Sequence, residues 1–141
     1  MRRLIQRGKK NPEVRLRAAD IVRYIPQKKW VAEINAIQQW VRDNIRYTKD
    51  IFGVETLHSV INVLNLGYGD CDDQTMLISA MLESIGHPTR LKAVGFSKGS
   101  LSHIYAQVFV NGKWVAVETT MDKWTVGKEP KGIKNTMLMA V

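Results

Sequence analysis

The chain has 141 residues, 45% hydrophobic and 24% charged, enough to bury one core without a metal or disulfide and too apolar for wholesale disorder. No apolar run approaches the roughly 20 residues that span a bilayer, and the opening MRRLIQRGKK lacks the apolar stretch of a secretory signal, so a soluble, cytoplasmic protein is expected. The net charge of +8 arises in residues 1–50, with 13 Lys and Arg against 5 Asp and Glu, while residues 51–141 hold 8 of each; the excess reads as a solvated face, and nucleic acid is not expected as a partner.

Residues 1–12, ending at Asn11-Pro12, are expected to form a basic flexible arm ahead of a single domain over 13–141. Val14, Ala18, Ile21, Val22 and Ile25 recur at helical spacing and predict a helix ended by Pro26, which cannot continue the hydrogen-bond ladder. Trp30, Ile34, Ile37, Val41 and Ile45 predict a second helix, leaving Glu33, Gln38, Arg42 and Asp43 for solvent and running into Arg46-Tyr47. Residues 48–58 read as a loop and 59–64 as a short helix. In GYGDCDDQTMLISAMLESIG, residues 67–86, Asp70 is a good N-cap and Asp73 falls in the first turn, where negative charge is favoured. Leu77, Ala80, Met81 and Ile85 supply an apolar face, and Gly86 with Pro88 stops the helix. A strand follows over 89–96, then a polar loop over 97–100. Residues 103–110 and 113–119 flank Asn111-Gly112, a preferred two-residue turn, and predict a hairpin. From Asp122 onward, Lys, Gly, Thr and Pro130 predict little regular structure.

With the turn at Asn111-Gly112, Phe109 faces Trp114, Tyr105 faces Glu118 and His103 faces Thr120. Alternation then puts His103, Tyr105, Gln107 and Phe109 on one face with Trp114, Ala116, Glu118 and Thr120. His103 and Glu118 become diagonal neighbours, roughly 7 to 8 Å apart at the backbone, a gap that a long carboxylate and an imidazole can close. A carboxylate on one imidazole nitrogen fixes the tautomer and supports the imidazolium. Cys71 follows the helix cap, where free backbone N–H groups and the helix dipole favour thiolate, as does a neighbouring histidinium. Asp70, Asp72 and Asp73 oppose this by like-charge repulsion unless they turn away.

A lone cysteine or a strand histidine is more often structural. The conjunction marks Cys71, His103 and Glu118 as a possible relay of thiol, base and carboxylate. No metal is expected, since Cys71, His58, His87 and His103 lack paired zinc-type spacing and DCDD lacks the alternating ligands and glycine of a calcium loop.

These features resemble the transglutaminase-like superfamily of papain-related thiol enzymes over about residues 30–121. Two ordered motifs carry the resemblance. GYGDCDDQTMLISAMLESIGHPTRLKAVGF is similar to the family's Gly-x-Gly-Asp-Cys helix start and the strand after it, and SHIYAQVFVNGKWVAVETT is similar to its histidine strand, turn and Trp-Val-x-Val-Asp strand. IQQWVRDNIRYTKD resembles the helix ending in Arg-Tyr upstream of the cysteine loop.

The resemblance implies an α+β fold with a papain-like, transglutaminase-like core: N-terminal helices and a cysteine helix packed on a small antiparallel sheet, with the active site at their junction. It implies that Cys71 is the nucleophile, His103 the general base and acid, and Glu118 the orienting carboxylate. The family usually has Asp followed by Pro at this last position, where this chain reads Glu118-Thr119; Asp122 is a lesser substitute. The backbone N–H of Cys71 is one expected oxyanion donor and Asn65 the side-chain donor, with Asn62 and Tyr68 as alternatives.

The implied chemistry is acyl transfer on amide bonds through a Cys71 thioester, with hydrolysis favoured over crosslinking and no cofactor. The implied substrate is a peptide or protein amide, a peptidoglycan peptide among the candidates. Short phage-encoded relatives extend this to phage structural proteins as partners and to the host cytoplasm or virion as location. Glu118 and the acidic residues around Cys71 keep an alternative open, a binding or assembly module that retains the fold without turnover.

Overall fold

A computed structural model describes residues 1–49, 59–120 and 126–141. Helix α5 (Cys71–Ser84) is buried on every side over residues 73–82, wider than the stripe of Leu77, Ala80 and Met81. It packs against four helices, α1 (Arg2–Lys10), α2 (Pro12–Ile21), α3 (Trp30–Asn44) and α4 (Val60–Leu66), and against strands β3 (Thr89–Gly95) and β4 (His103–Val110). Of the polar side chains enclosed with it, Thr75 Oγ1 donates to the Ile104 carbonyl at 3.2 Å, while Ser79 Oγ and Gln74 Oε1 are buried without a partner among the described residues.

Strands β5 (Lys113–Val117) and β6 (Asn135–Ala140) complete an antiparallel sheet of order β5-β4-β3-β6. The arrangement is the expected α+β fold. The hairpin has the expected register, Phe109 opposite Trp114 and Gln107 opposite Ala116. Asn111 and Gly112, with φ of 52° and 80°, supply the two positive φ values of a type I′ turn, whose twist suits the strands.

Several local expectations are corrected. The residues read as a flexible arm form α1, whose Ile5 is fully buried in the core. Gly8 lies so close to α4 that a Cβ there would come 2.7 Å from Val60 Cβ. Leu4, Ile5 and Gly8 share one helical face, so the flanking charges stay outside while that face docks. Helix α2 ends at Ile21, short of Pro26, because Val22 leaves helical geometry and Ile25 N–H donates back to Val22 O at 3.0 Å in a following turn.

Arg46–Tyr47 does not extend α3. It forms strand β1, parallel to β2 (Tyr68–Gly69), with Arg46 N–H donating to Gly67 O at 2.9 Å and Thr48 N–H to Gly69 O at 3.0 Å. These interstrand bonds replace the helical ones. Gln38, assigned to solvent, is buried, and Trp30, assigned to the apolar stripe, is exposed. The C-terminal region contains β6, whose backbone pairs with β3 from Arg90 to Gly95 even though Met137 and Leu138 remain half-exposed. Most of the loop expected over 48–58 lies outside the described residues, as do His58 and Asp122.

Candidate active site

Two glycines and two aspartates set the entry to α5. Gly67, at φ 74°, takes the left-handed conformation that ends α4 and turns the chain into β2. Gly69 then passes so near α5 that a Cβ would come 2.6 Å from Asp73 Cβ. Asp70 Oδ1 accepts the Asp73 N–H at 2.9 Å and Asp73 Oδ2 accepts the Asp70 N–H at 3.3 Å, a reciprocal capping box. Cys71 is thereby fixed at the first position of α5, partly buried on the wall of a cleft of about 470 Å³. Asp73 is taken up in the cap, whereas Asp70 and Asp72 share the cleft wall with the thiol.

The hairpin brings the other two side chains to this wall. His103 opens β4, and its Nε2 lies 2.7 Å from Glu118 Oε2. With Nε2 taken by Glu118, Nδ1 is the ring nitrogen left for the cleft, whose wall His103 shares with Cys71. Burial disfavours the imidazolium, but the hydrogen bonds to Cys71 and Glu118 and their negative charge outweigh it and push the His103 pKa from 6.5 up to about 9. At neutral pH the ring therefore carries two protons, and Nε2 donates to Glu118.

Glu118 itself is 1% exposed, and such a carboxylate needs partners for both oxygens. Its Oε1 accepts from Thr119 N–H at 3.1 Å, Thr120 N–H at 3.3 Å and Thr120 Oγ1 at 3.1 Å. The longer side chain is thus folded back over the backbone that follows it, leaving Oε2 for His103. A proline at position 119 would have no N–H to give. From the other side Gln38 Nε2 donates to the Glu118 carbonyl oxygen at 2.8 Å, anchoring this strand end to α3.

The candidates for a side-chain oxyanion donor fall elsewhere. Asn65 is exposed on α4 and lines a separate groove with Trp40 and Asn44. Asn62 is exposed in the first turn of α4, where its N–H binds the capping Ser59 hydroxyl. Tyr68 does not line the cleft, but Tyr47 does, a residue that sequence reading placed at a helix end. Gln38 was also missed, although it falls on the buried stripe between Ile37 and Val41, where a polar residue is itself a signal.

Behind His103, the Tyr105 hydroxyl donates at 3.0 Å to Glu129 Oε1, which also receives Lys92 Nζ at 2.7 Å and Gln107 Nε2 at 3.3 Å. The Lys92 contact, against the opposing effect of burial, holds the Glu129 carboxyl below its usual range. This contact set fastens the segment before β6 across the sheet. Among the described residues, no group of three or more His, Cys, Asp or Glu converges as metal ligands, and no helix is long and apolar enough to cross a membrane.

Comparison with solved structures finds the same fold in bacterial proteins of low sequence identity. A candidate protease from Parabacteroides distasonis aligns with 83% of this chain and 25% of its own, at 18% identity and a TM-score of 0.68. A candidate cysteine protease from Cytophaga hutchinsonii aligns over 92% of this chain and 50% of its own, at 15% identity and a TM-score of 0.63. Calcium-bound LapG from Legionella pneumophila aligns over 99% of this chain and 86% of its own, at 11% identity and a TM-score of 0.68. The chain therefore spans a quarter to a half of the first two proteins and most of the third. No curated protein matches it in sequence. The family model of the transglutaminase-like superfamily matches residues 17–119, from α2 through the hairpin that carries His103 and Glu118, and the chain belongs to that superfamily.

Proposed function

We propose that the protein is a thiol enzyme that cleaves amide bonds in peptides or proteins by acyl transfer through Cys71. The observation that supports this is the position of His103, held through Nε2 by a buried carboxylate and lining the same cleft as Cys71, which raises its pKa. The Cys71 sulfur attacks the substrate carbonyl, forming a C–S bond as the carbonyl π pair moves onto oxygen. The Cys71 backbone N–H, at the helix start, donates to that oxygen. His103 passes its Nδ1 proton to the amine nitrogen as the C–N bond breaks, leaving a thioester. Neutral His103 then accepts a proton from water, whose oxygen attacks the thioester and expels the sulfur. Glu118 accepts a hydrogen bond from Nε2–H throughout, keeping Nδ1 aimed at the sulfur.

The protease descriptions of the Parabacteroides and Cytophaga proteins favour hydrolysis over crosslinking. Peptidoglycan peptides are candidate substrates, and phage structural proteins candidate partners, on the family resemblance. The test is acylation of the purified chain by a p-nitrophenyl ester, followed by intact mass and by release of p-nitrophenol. A transient acyl adduct on Cys71, absent in Cys71→Ala and lost in His103→Ala, is the expected result. Absence of an adduct in the wild type, with Cys71 alkylation equally fast in His103→Ala, would overturn the reading and favour an assembly module without turnover.

A further inference from the structure

If Cys71 is the nucleophile, as proposed above, the tetrahedral intermediate has one evident hydrogen-bond donor, the Cys71 N–H, and the side chains first expected to supply another do not line the cleft. The β1–β2 ribbon brings a different hydroxyl there. Arg46 pairs with Tyr68 and Tyr47 with Gly69, so alternation puts Tyr47 and Gly69 on one face and Arg46 and Tyr68 on the other. The Gly69 face is turned toward α5, because a Cβ built there runs into Asp73. Tyr47 therefore stands over the first turn of the helix that begins with Cys71, and it lines the same cleft.

The ribbon under Tyr47 is held in place. Interstrand bonds clamp it at Arg46 and Thr48, on either side of the tyrosine. Gln74, one turn into α5, donates through Nε2 to Gly69 O at 3.3 Å and to Ile45 O at 3.5 Å, joining β2 and the residue that precedes β1 to the cysteine helix. Two other described side chains on the cleft wall can donate. Ser102 precedes His103 and stands on the side of the base, and Lys49 is an exposed residue with a long flexible stem.

We propose that the Tyr47 hydroxyl donates a hydrogen bond to the oxyanion formed when the Cys71 sulfur attacks a carbonyl, acting with the Cys71 backbone N–H. The carbonyl π pair moves to oxygen as the C–S bond forms, and Tyr47 O–H bonds that oxygen without transferring its proton. The pair returns to carbon as the amine leaves. Tyr47 is 44% exposed, so a substrate carbonyl can reach its side chain. Burial first, and then the negative charges of Cys71, Asp70 and Asp72, raise the phenol pKa above 10, so the hydroxyl keeps its proton at neutral pH.

The experiment compares two reactions of Cys71 in the full chain, acylation by a p-nitrophenyl ester and alkylation by iodoacetamide, since only the first develops an oxyanion. Tyr47→Phe is expected to slow acylation by on the order of 10²-fold while KM and the alkylation rate change little. Binding of a peptide aldehyde, whose tetrahedral hemithioacetal puts its oxygen where the oxyanion forms, should weaken in parallel. Tyr68→Phe should alter none of these. Acylation by Tyr47→Phe within about threefold of wild type would overturn the assignment. So would an equal loss in both reactions, which would mean that Tyr47 acts on the thiol itself. A wild type that alkylates but never acylates overturns the acyl-transfer reading and this assignment with it, whereas a Tyr47→Phe that acylates normally removes the assignment alone.

Discussion

Among the described residues, two histidine and glutamate pairs have almost equal length, 2.7 Å between His103 and Glu118 and 2.8 Å between His87 and Glu33. Both imidazoles are nearly buried, with 10% and 8% of the side chain exposed. The surroundings separate them. Glu118 is 1% exposed, with its second oxygen saturated by two backbone N–H groups and a hydroxyl, whereas Glu33 is 20% exposed on α3. His103 shares a cleft wall with a cysteine; His87 sits on the turn leaving α5 and ties that turn to α3. Bond length alone therefore does not distinguish a reactive imidazole from a structural one. The group on its far side and the rigidity of its carboxylate do.

Substitutions at the two pairs should separate most widely in turnover. On the proposed chemistry Cys71→Ala abolishes activity, and His103→Ala lowers kcat/KM by on the order of 10³-fold or more, because base and acid are lost together. His87→Gln should leave kcat/KM per folded molecule unchanged, and equal losses in the two histidine variants would erase the distinction. Glu118→Gln comes next, with kcat expected to fall by on the order of 10²-fold as the imidazolium loses its counter-charge.

The pH dependence sharpens the same contrast. The His103 pKa is raised in the folded protein from 6.5 to about 9, so its stabilising contribution is complete below 6.5 and is lost as pH rises through about 9. Thermal unfolding followed from pH 6 upward should show stability declining across that window, and turnover should fall near its upper end as the acid is lost. Glu118→Gln should move the decline toward lower pH, since it removes one of the groups that hold the proton. The smallest effect is at the structural pair: Glu33→Gln should cost about 1 kcal/mol in denaturant unfolding, with no change in kcat.

The parts of the site that were legible in the sequence are those fixed by local rules. Asn111-Gly112 specifies both a turn and a register, and that register carries His103 and Glu118 to one face. Asp70 and Asp73 announced the start of α5 through capping chemistry. What escaped depends on tertiary partners. Gln38 reads as solvent-facing until the Glu118 carbonyl is placed against it, and Arg46-Tyr47 continues a helical pattern until β2 offers interstrand bonds. Strand β6 has an exposed edge and weak alternation, so only its backbone pairing with β3 defines it. Helix α1 was hidden by its charges, which mask the short apolar face that docks on the core.

The folded-back carboxylate at Glu118 has a consequence for substitution. The residues after Glu118 supply the donors that hold its carboxylate against His103, so positions 118 and 119 act as a unit here. Asp alone would be too short to keep its contacts with both His103 and the threonine donors, and Pro alone would remove one of those donors from a buried charge. Exchanging the two positions one at a time toward Asp and Pro is therefore expected to loosen the hold on His103, through lost reach at 118 and a lost donor at 119.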